Sequence, residues 1–173
     1  MIFVKQATVN NASELANLAR ITYIESHAHF INDNRDLQKY VQDSFTVEQT
    51  LVELNEAHNL FYIAYKEEVA IGYIKLDSQA KHESIPSHKS CRLERIYVLS
   101  EYIPLKIGRN LLDFAVNQAR ILQLDTLWLT VYVKNHRAIR FYQKNEFTEV
   151  GRMEFRVNTT DYENFVYSKS LQL

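Results

Sequence analysis

Glycine is scarce in this chain: Gly72, Gly108 and Gly151 are the full set, beside two prolines. The shortage bears on any loop that would use glycine for close approach or positive φ. Cysteine is scarcer still. Cys91 has no partner for an internal disulfide, which fits a reducing compartment. Neither sign of charge prevails, with 20 Lys and Arg against 21 Asp and Glu and a formal net charge of −1. A protein that lives on nucleic-acid phosphates needs a basic surface. Long apolar runs are missing too. The opening Met-Ile-Phe-Val-Lys-Gln turns polar too soon for a signal peptide, and no segment has the length of a membrane span. These absences predict a cytoplasmic protein with neither nucleic acid nor membrane as partner. No Gly-x-Gly-x-x-Gly follows an early strand, which argues against a dinucleotide-binding module. His27 and His29 are two apart on a predicted helix and point to different faces, so no metal site is expected. Repeats, low-complexity tracts and linkers are absent as well.

The chain does have the makings of one domain over 1–173. Its 173 residues, 46% hydrophobic and 24% charged, suit a soluble globular domain with a sizeable core. Phe3-Val-Lys-Gln-Ala7 reads as a first strand. Asn11-Ala-Ser-Glu14 has the form of a capping box, and Leu15, Leu18, Ala19 and Thr22 keep helical spacing to about His27. Turn formers at Ile31-Asn-Asp-Asn34 break that pattern. A second helix is expected over Asp36–Asp43, and Thr46-Val-Glu-Gln49 is another capping box with Val47, Leu51 and Leu54 on one face. The period then changes. Leu60–Tyr65 and Val69–Leu76 read as a hairpin about Lys66-Glu67-Glu68, and the polar stretch Ser78–Ser90 as a mobile surface loop.

The organising stretch is Leu93–Phe147. A strand over Cys91–Val98 is followed by a loop and a helix over 107–122 with Ile107, Leu111, Leu112, Ala115, Val116 and Ala119 on one stripe. An apolar run, Leu127-Trp-Leu-Thr-Val-Tyr-Val133, then reads as a strand covered on both faces. Two strands joined through a helix make a right-handed parallel crossover. The helix start then lies at the carboxyl edge of the sheet, where open α/β sheets bind ligands, and its unpaired N–H groups suit an anion. A short helix over 136–144 follows. Strands over Phe147–Val157 and Asn164–Lys169 close the chain across Asn158-Thr-Thr-Asp161.

Leu93–Val98, the loop Lys106–Arg109 and Asn135…Phe141-Tyr142…Phe147 together resemble the core of the GNAT-type N-acetyltransferases, which use acetyl-CoA. The resemblance covers most of the chain. Within that family it is most similar to the bacterial PaiA-type polyamine (spermidine/spermine) N-acetyltransferases, whose helical N-terminal half has a run like Thr22-Tyr23…Tyr40…Ser44-Phe45-Thr46…Glu48-Gln49. It implies the GNAT acyl-CoA N-acyltransferase fold, α/β (α+β), with a mixed, mostly antiparallel central sheet, one parallel strand pair and helices on both faces. It also implies acetyl transfer to a primary amine by direct attack, with a polyamine such as spermidine or spermine as acceptor. Acceptance of a protein N-terminus or another small amine stays open, as does an inactive CoA-binding module. Family members are often dimers, so a homodimer is admitted.

By the same resemblance, a Gln/Arg-x-x-Gly-x-Gly/Ala loop cradles the CoA diphosphate with backbone N–H groups. Here it reads Ile103-Pro-Leu-Lys-Ile-Gly108, so Ile103 replaces the glutamine and Lys106 the first glycine. Lys106 and Arg109 bring cations, and Pro104 removes one N–H while stiffening the loop. An ordinary helix start with Gly108 as a packing site is the plain alternative. Cofactor contacts are expected from Ile96, Tyr97, Val98, Leu105, Lys106, Ile107, Gly108, Arg109, Asn110, Asn135, Ala138, Phe141 and Tyr142. Asn135 is also a favoured N-cap. Tyr142 is the candidate general acid that protonates the leaving thiolate. Glu94 is the candidate base for an ammonium whose pKa is roughly 10, with a neighbouring Lys or Arg as its plain alternative partner. Strand alternation sets Glu94, Ile96 and Val98 on one face and Leu93, Arg95 and Tyr97 on the other. For the acceptor, Tyr23, His27, Asp36 and Tyr40 are the candidates, with Glu25, Asp33 and Asp43 as further carboxylates and Phe45 as a further wall. Cys91 reads as a buried strand residue. Asn145 stands where the family usually has glycine and is expected to take the left-handed conformation, which leaves Glu146 unexplained.

Overall fold

The computed structural model describes residues 1–31 and 33–171; the expected turn former Asn32 lies outside them, as do the last two residues of the expected 1–173 domain. In chain order the elements are β1 (Ile2–Gln6), a 3-10 turn (Val9–Asn11), α1 (Ala12–His27), α2 (Asn34–Ser44), α3 (Val47–Asn55), β2 (Asn59–Lys66) and β3 (Val69–Asp77). They continue with β4 (Ser90–Val98), a 3-10 helix (Ser100–Leu105), α4 (Ile107–Ile121), β5 (Thr126–Tyr132), α5 (His136–Lys144), β6 (Thr148–Val157) and β7 (Thr160–Ser170). The strands form one mixed sheet in the order β1-β2-β3-β4-β5-β7-β6, flanked by the helices. β4 and β5 run parallel while β1–β2, β5–β7 and β6–β7 are antiparallel.

Two compact units make up the chain. The first comprises Met1–Leu76 and Arg95–Ala115. Its helix starts are set by short polar side chains, though not always the expected ones. The reciprocal box lies at Thr8 and Asn11, one turn before the expected Asn11–Glu14 pair, because Asn11 turns back to accept from the Thr8 amide at 3.0 Å. Asp33 caps α2 by accepting from the Arg35 amide at 2.8 Å, and Thr46 caps α3 by accepting from Gln49 at 3.0 Å. On α3 the buried residue is Thr50, whose hydroxyl bonds back to the Thr46 carbonyl, while Val47 is exposed. Leu15, Leu37, Phe61, Ile63, Ile71 and Tyr73 fill the core of this unit.

The second unit comprises Asp77–Glu94 and Val116–Leu173. Leu127, Trp128 and Leu129 of β5 are almost wholly buried, as their unbroken apolar run predicts. The polar stretch before β4 is pinned rather than loose. Ile85 packs with Trp128 and Val166, a burial that contributes roughly 1.5–3 kcal/mol, and the Ser87 hydroxyl donates to Asp125. Ser84 presses so closely on Gly151 that a Cβ there would stand 2.0 Å from its Oγ. The β6–β7 turn is shorter than expected. Asp161 pairs with Arg156 across it, leaving only Asn158 and Thr159 between the strands.

Left-handed backbone falls on Glu67, Lys106, Gln123, Glu146 and Asn158, with φ from 52 to 67, and on none of the glycines. The conformation expected at Asn145 thus lies one residue on. Asn145 keeps φ −104 because its amide side chain donates to the Phe141 carbonyl at 2.7 Å. Glu146 makes the turn and bonds Lys169 at 2.7 Å, which accounts for it.

Candidate active site

In the first unit the expected loop runs from Ser100 into α4. Lys106 sits at φ 60, ψ 24, the conformation a glycine would adopt without penalty. Its carbonyl accepts from the amides of Arg109 and Asn110 at 3.0 and 3.3 Å. Ile107 and Gly108 open the helix, where N–H groups have no earlier turn to bond. A Cβ built on Gly108 meets no atom within 4 Å. The space above the helix start is therefore open, and amides aimed into open space at the positive end of a helix dipole fit a diphosphate. Arg109, expected to face phosphate, bonds Asp113 at 2.9 and 3.0 Å. Both are about half exposed, so the pair is worth under about 1 kcal/mol and is readily redirected. The start of the loop is held from α1, where Glu25 accepts from the Ser100 amide at 2.8 Å and from its hydroxyl at 2.9 Å.

The aromatic residues near the end of α1 come together. Tyr23 stacks on His27 with centroids 4.0 Å apart and lies 5.1 Å from Tyr40, 5.2 Å from Phe45 and 6.2 Å from Tyr97. His27 Nδ1 is 3.1 Å from the Tyr23 carbonyl; since a carbonyl only accepts, Nδ1 carries the proton. Burial pushes the His27 pKa down to about 4, so the ring is neutral at neutral pH. Burial likewise raises Tyr97, with the neighbouring tyrosines adding to it.

The carboxylates expected to meet a cation are mostly engaged within the protein. Glu25 holds Ser100, Asp33 caps α2 and pairs with Arg35, and Asp43 pairs with Lys39. A largely covered carboxylate of this unit, with its side chain 13% exposed, is one not singled out from the sequence. Glu53 takes two 2.8 Å bonds from Arg95 and one of 3.3 Å from Lys75. The signal was present: strand alternation sets Arg95 on the face of Leu93 and Tyr97, and an inward charge demands a partner.

In the second unit the parallel register pairs Ser90, Cys91 and Arg92 with Thr126, Leu127 and Trp128. Glu94 follows on β4 and is half-buried. Asn135 caps α5, its side-chain oxygen accepting from the Ala138 amide at 3.1 Å. Phe141 and Tyr142 lie on α5; the Tyr142 ring is 5.3 Å from Phe141 and 5.9 Å from Phe147. The Tyr142 carbonyl accepts from Asn145 and Phe147, and burial holds its phenol well above the usual range. Cys91 is fully buried and its thiol is pushed up to about 12, which leaves little thiolate. Among the described residues no helix is long and apolar enough to cross a membrane, and no group of His, Cys, Asp and Glu is arranged to hold a metal.

Known proteins similar to this chain include acetyltransferases. The spermidine N(1)-acetyltransferase of Thermoplasma acidophilum is 23% identical over 99% of this chain and 98% of its own length. The structure of PaiA N-acetyltransferase from Thermoplasma acidophilum in complex with coenzyme A superposes with a TM-score of 0.76 at 22% identity, over 98% of this chain and 99% of that one. That of YncA from Salmonella typhimurium with its cofactor acetyl-CoA gives 0.68 at 12% identity, over 100% and 95%. At such identities these structures establish the fold alone. The family comparison reaches further: a match over residues 18–147 takes in the aromatic end of α1, the open start of α4 and Phe147 beyond α5, and the chain therefore belongs to the acetyltransferase (GNAT) family.

Proposed function

We propose that this protein is a single-domain cytoplasmic enzyme that moves the acetyl group of acetyl-CoA directly to a primary amine, and that the amine is a polyamine such as spermidine or spermine. The observation that carries the cofactor half is the vacant space above Gly108 behind a left-handed Lys106. Acetyl-CoA, when bound, supplies the thioester that the amine attacks. The segment from Leu105 to Asn110 holds the diphosphate, through the amides of Ile107 and Gly108 at the open helix start, with the Lys106 ammonium beside them and Arg109 released from Asp113. Backbone groups of Ile96, Tyr97 and Val98 hold the thioester carbonyl and stabilise developing negative charge. Asn135, Ala138 and Phe141 line the pantetheine arm. Glu94 takes the proton of the incoming ammonium, and Tyr142 Oη gives one to the departing sulfur. Its raised pKa keeps that proton in place at neutral pH.

Tyr23, His27, Asp36 and Tyr40 receive the acceptor. A neutral His27 adds no repulsion toward a cation, and likeness to a spermidine acetyltransferase favours a polyamine. A second reading, with a single-amine acceptor such as a protein N-terminus or another small amine, draws support from the engagement of Glu25, Asp33 and Asp43 by protein partners. Release of CoA thiol is to be followed with spermidine, spermine, simple monoamines and an N-terminal peptide. Turnover fastest with the polyamines is expected; turnover confined to the others selects the second reading. Tight CoA binding in calorimetry without turnover on any amine would leave only a binding module.

A further inference from the structure

The loop that leads into α4 lacks two residues by which such loops are usually shaped, with Ile103 and Lys106 in their places. It also lacks a cap of its own: the residue before the 3-10 helix is Leu99, which has no side-chain acceptor and makes no capping bond. An acceptor arrives from 75 residues away instead. Both oxygens of Glu25, on α1 between Tyr23 and His27, are used on Ser100, one on the amide at 2.8 Å and one on the hydroxyl at 2.9 Å. From there the turn is carried by Tyr102 N–H to the Leu99 carbonyl at 2.9 Å and Lys106 N–H to the Ile103 carbonyl at 3.1 Å. It ends on the strained left-handed Lys106.

We propose that Glu25 is a positioning residue for the cofactor loop, fixing through Ser100 the backbone shape that presents the α4 amides. The proposal rests on the reading that this loop holds the CoA diphosphate. A two-point carboxylate grip orients the first residue of a turn as well as tethering it, because the amide and hydroxyl of Ser100 are tied at once. Whatever Ser100 gains in orientation is passed along the short 3-10 helix to Lys106, where positive φ is otherwise disfavoured for a side-chain-bearing residue.

The test uses the whole protein with Glu25→Gln, Ser100→Ala, Ser100→Thr and the Glu25→Gln/Ser100→Ala pair. Calorimetry with CoA gives the affinity, thermal melting the stability, and hydrogen exchange the order of amides 100–110. Gln keeps the shape of the side chain but turns one acceptor into a donor. Glu25→Gln is expected to weaken CoA binding about three- to tenfold, a surface-exposed loss of charged hydrogen bonds, and to speed exchange across the loop. Ser100→Ala, which keeps its amide, should lose less. Ser100→Thr should match the parent, and the double variant should bind CoA about as well as Glu25→Gln alone. At saturating acetyl-CoA, kcat should stay within about twofold.

Parent binding with an unchanged affinity and exchange pattern in Glu25→Gln would overturn the proposal. So would a fall in melting temperature with kcat and affinity lost together, which marks a general structural role. If the parent itself fails to bind CoA, it is the underlying reading of the loop that falls, and the proposal falls with it.

Discussion

The two helices that follow β4 and β5 begin in opposite ways. At α5 the chain satisfies its own helix start, with Asn135 accepting from the Ala138 amide at 3.1 Å. At α4 the preceding residue, Lys106, carries no side-chain acceptor; it turns left-handed, and nothing stands within 4 Å of where a Gly108 Cβ would be. A start that is capped from within has one fewer N–H to offer, whereas an uncapped start keeps its donors and its dipole for a ligand. On the proposed reading the contrast divides the labour: α4 would contribute through its backbone, and α5 through side chains, chiefly Tyr142.

Breaking that division gives the predictions. The largest effect belongs to Tyr142→Phe, which removes the proton donor. kcat should fall about 100-fold while CoA affinity changes by under about twofold, as single-turnover kinetics and calorimetry can check. In the parent, the raised phenol pKa means that loss of the Tyr142 proton imposes no alkaline limb on kcat below about pH 10. Next comes Gly108→Ala. A methyl group in the space over the helix start should weaken acetyl-CoA binding about tenfold and at the same time raise stability by about 0.5–1 kcal/mol. Affinity and stability moving together in urea and binding titrations would contradict an open start.

Asn135→Ala should cost about 1 kcal/mol of stability through the lost cap, read as a lower urea midpoint at unchanged slope. Smallest is Lys106→Gly, which relieves the left-handed lysine and should stabilise by roughly 0.5 kcal/mol. CoA affinity should fall by less than about threefold, because an exposed ammonium contributes little; a larger loss would make the side chain, not the backbone, the chief phosphate ligand.

Most of the fold was legible because apolar spacing is a strong signal. The α4 stripe, the buried run of β5 and the 136–144 helix fall where periodicity sets them. The course of the loop into α4 was legible as well, since it depends on short-range order along one stretch of chain. The partners of the carboxylates proposed to meet the acceptor were not. Counting carboxylates on helices gave Glu25, Asp33 and Asp43 as candidates, yet a surface carboxylate is drawn to the nearest amide or cation, and each found one in the protein. Glu53 escaped notice for the converse reason, as its partners Arg95 and Lys75 are distant in sequence. The left-handed turn falls one residue on, at Glu146, where side-chain bonds fix the backbone: a local one from Asn145 to the Phe141 carbonyl and a long-range one from Lys169 to the Asn145 carbonyl.

Left-handed turns at Glu67, Gln123 and Asn158, with no glycine among them, also say something about tolerance to heat. Asparagine visits this conformation readily, but glutamate and glutamine do so at an energetic disadvantage. Each such bend is held in place by the elements on either side of it. Two exchanges outside the proposed site, Glu67→Gly and Gln123→Gly, are expected to relax those bends and to raise the melting temperature.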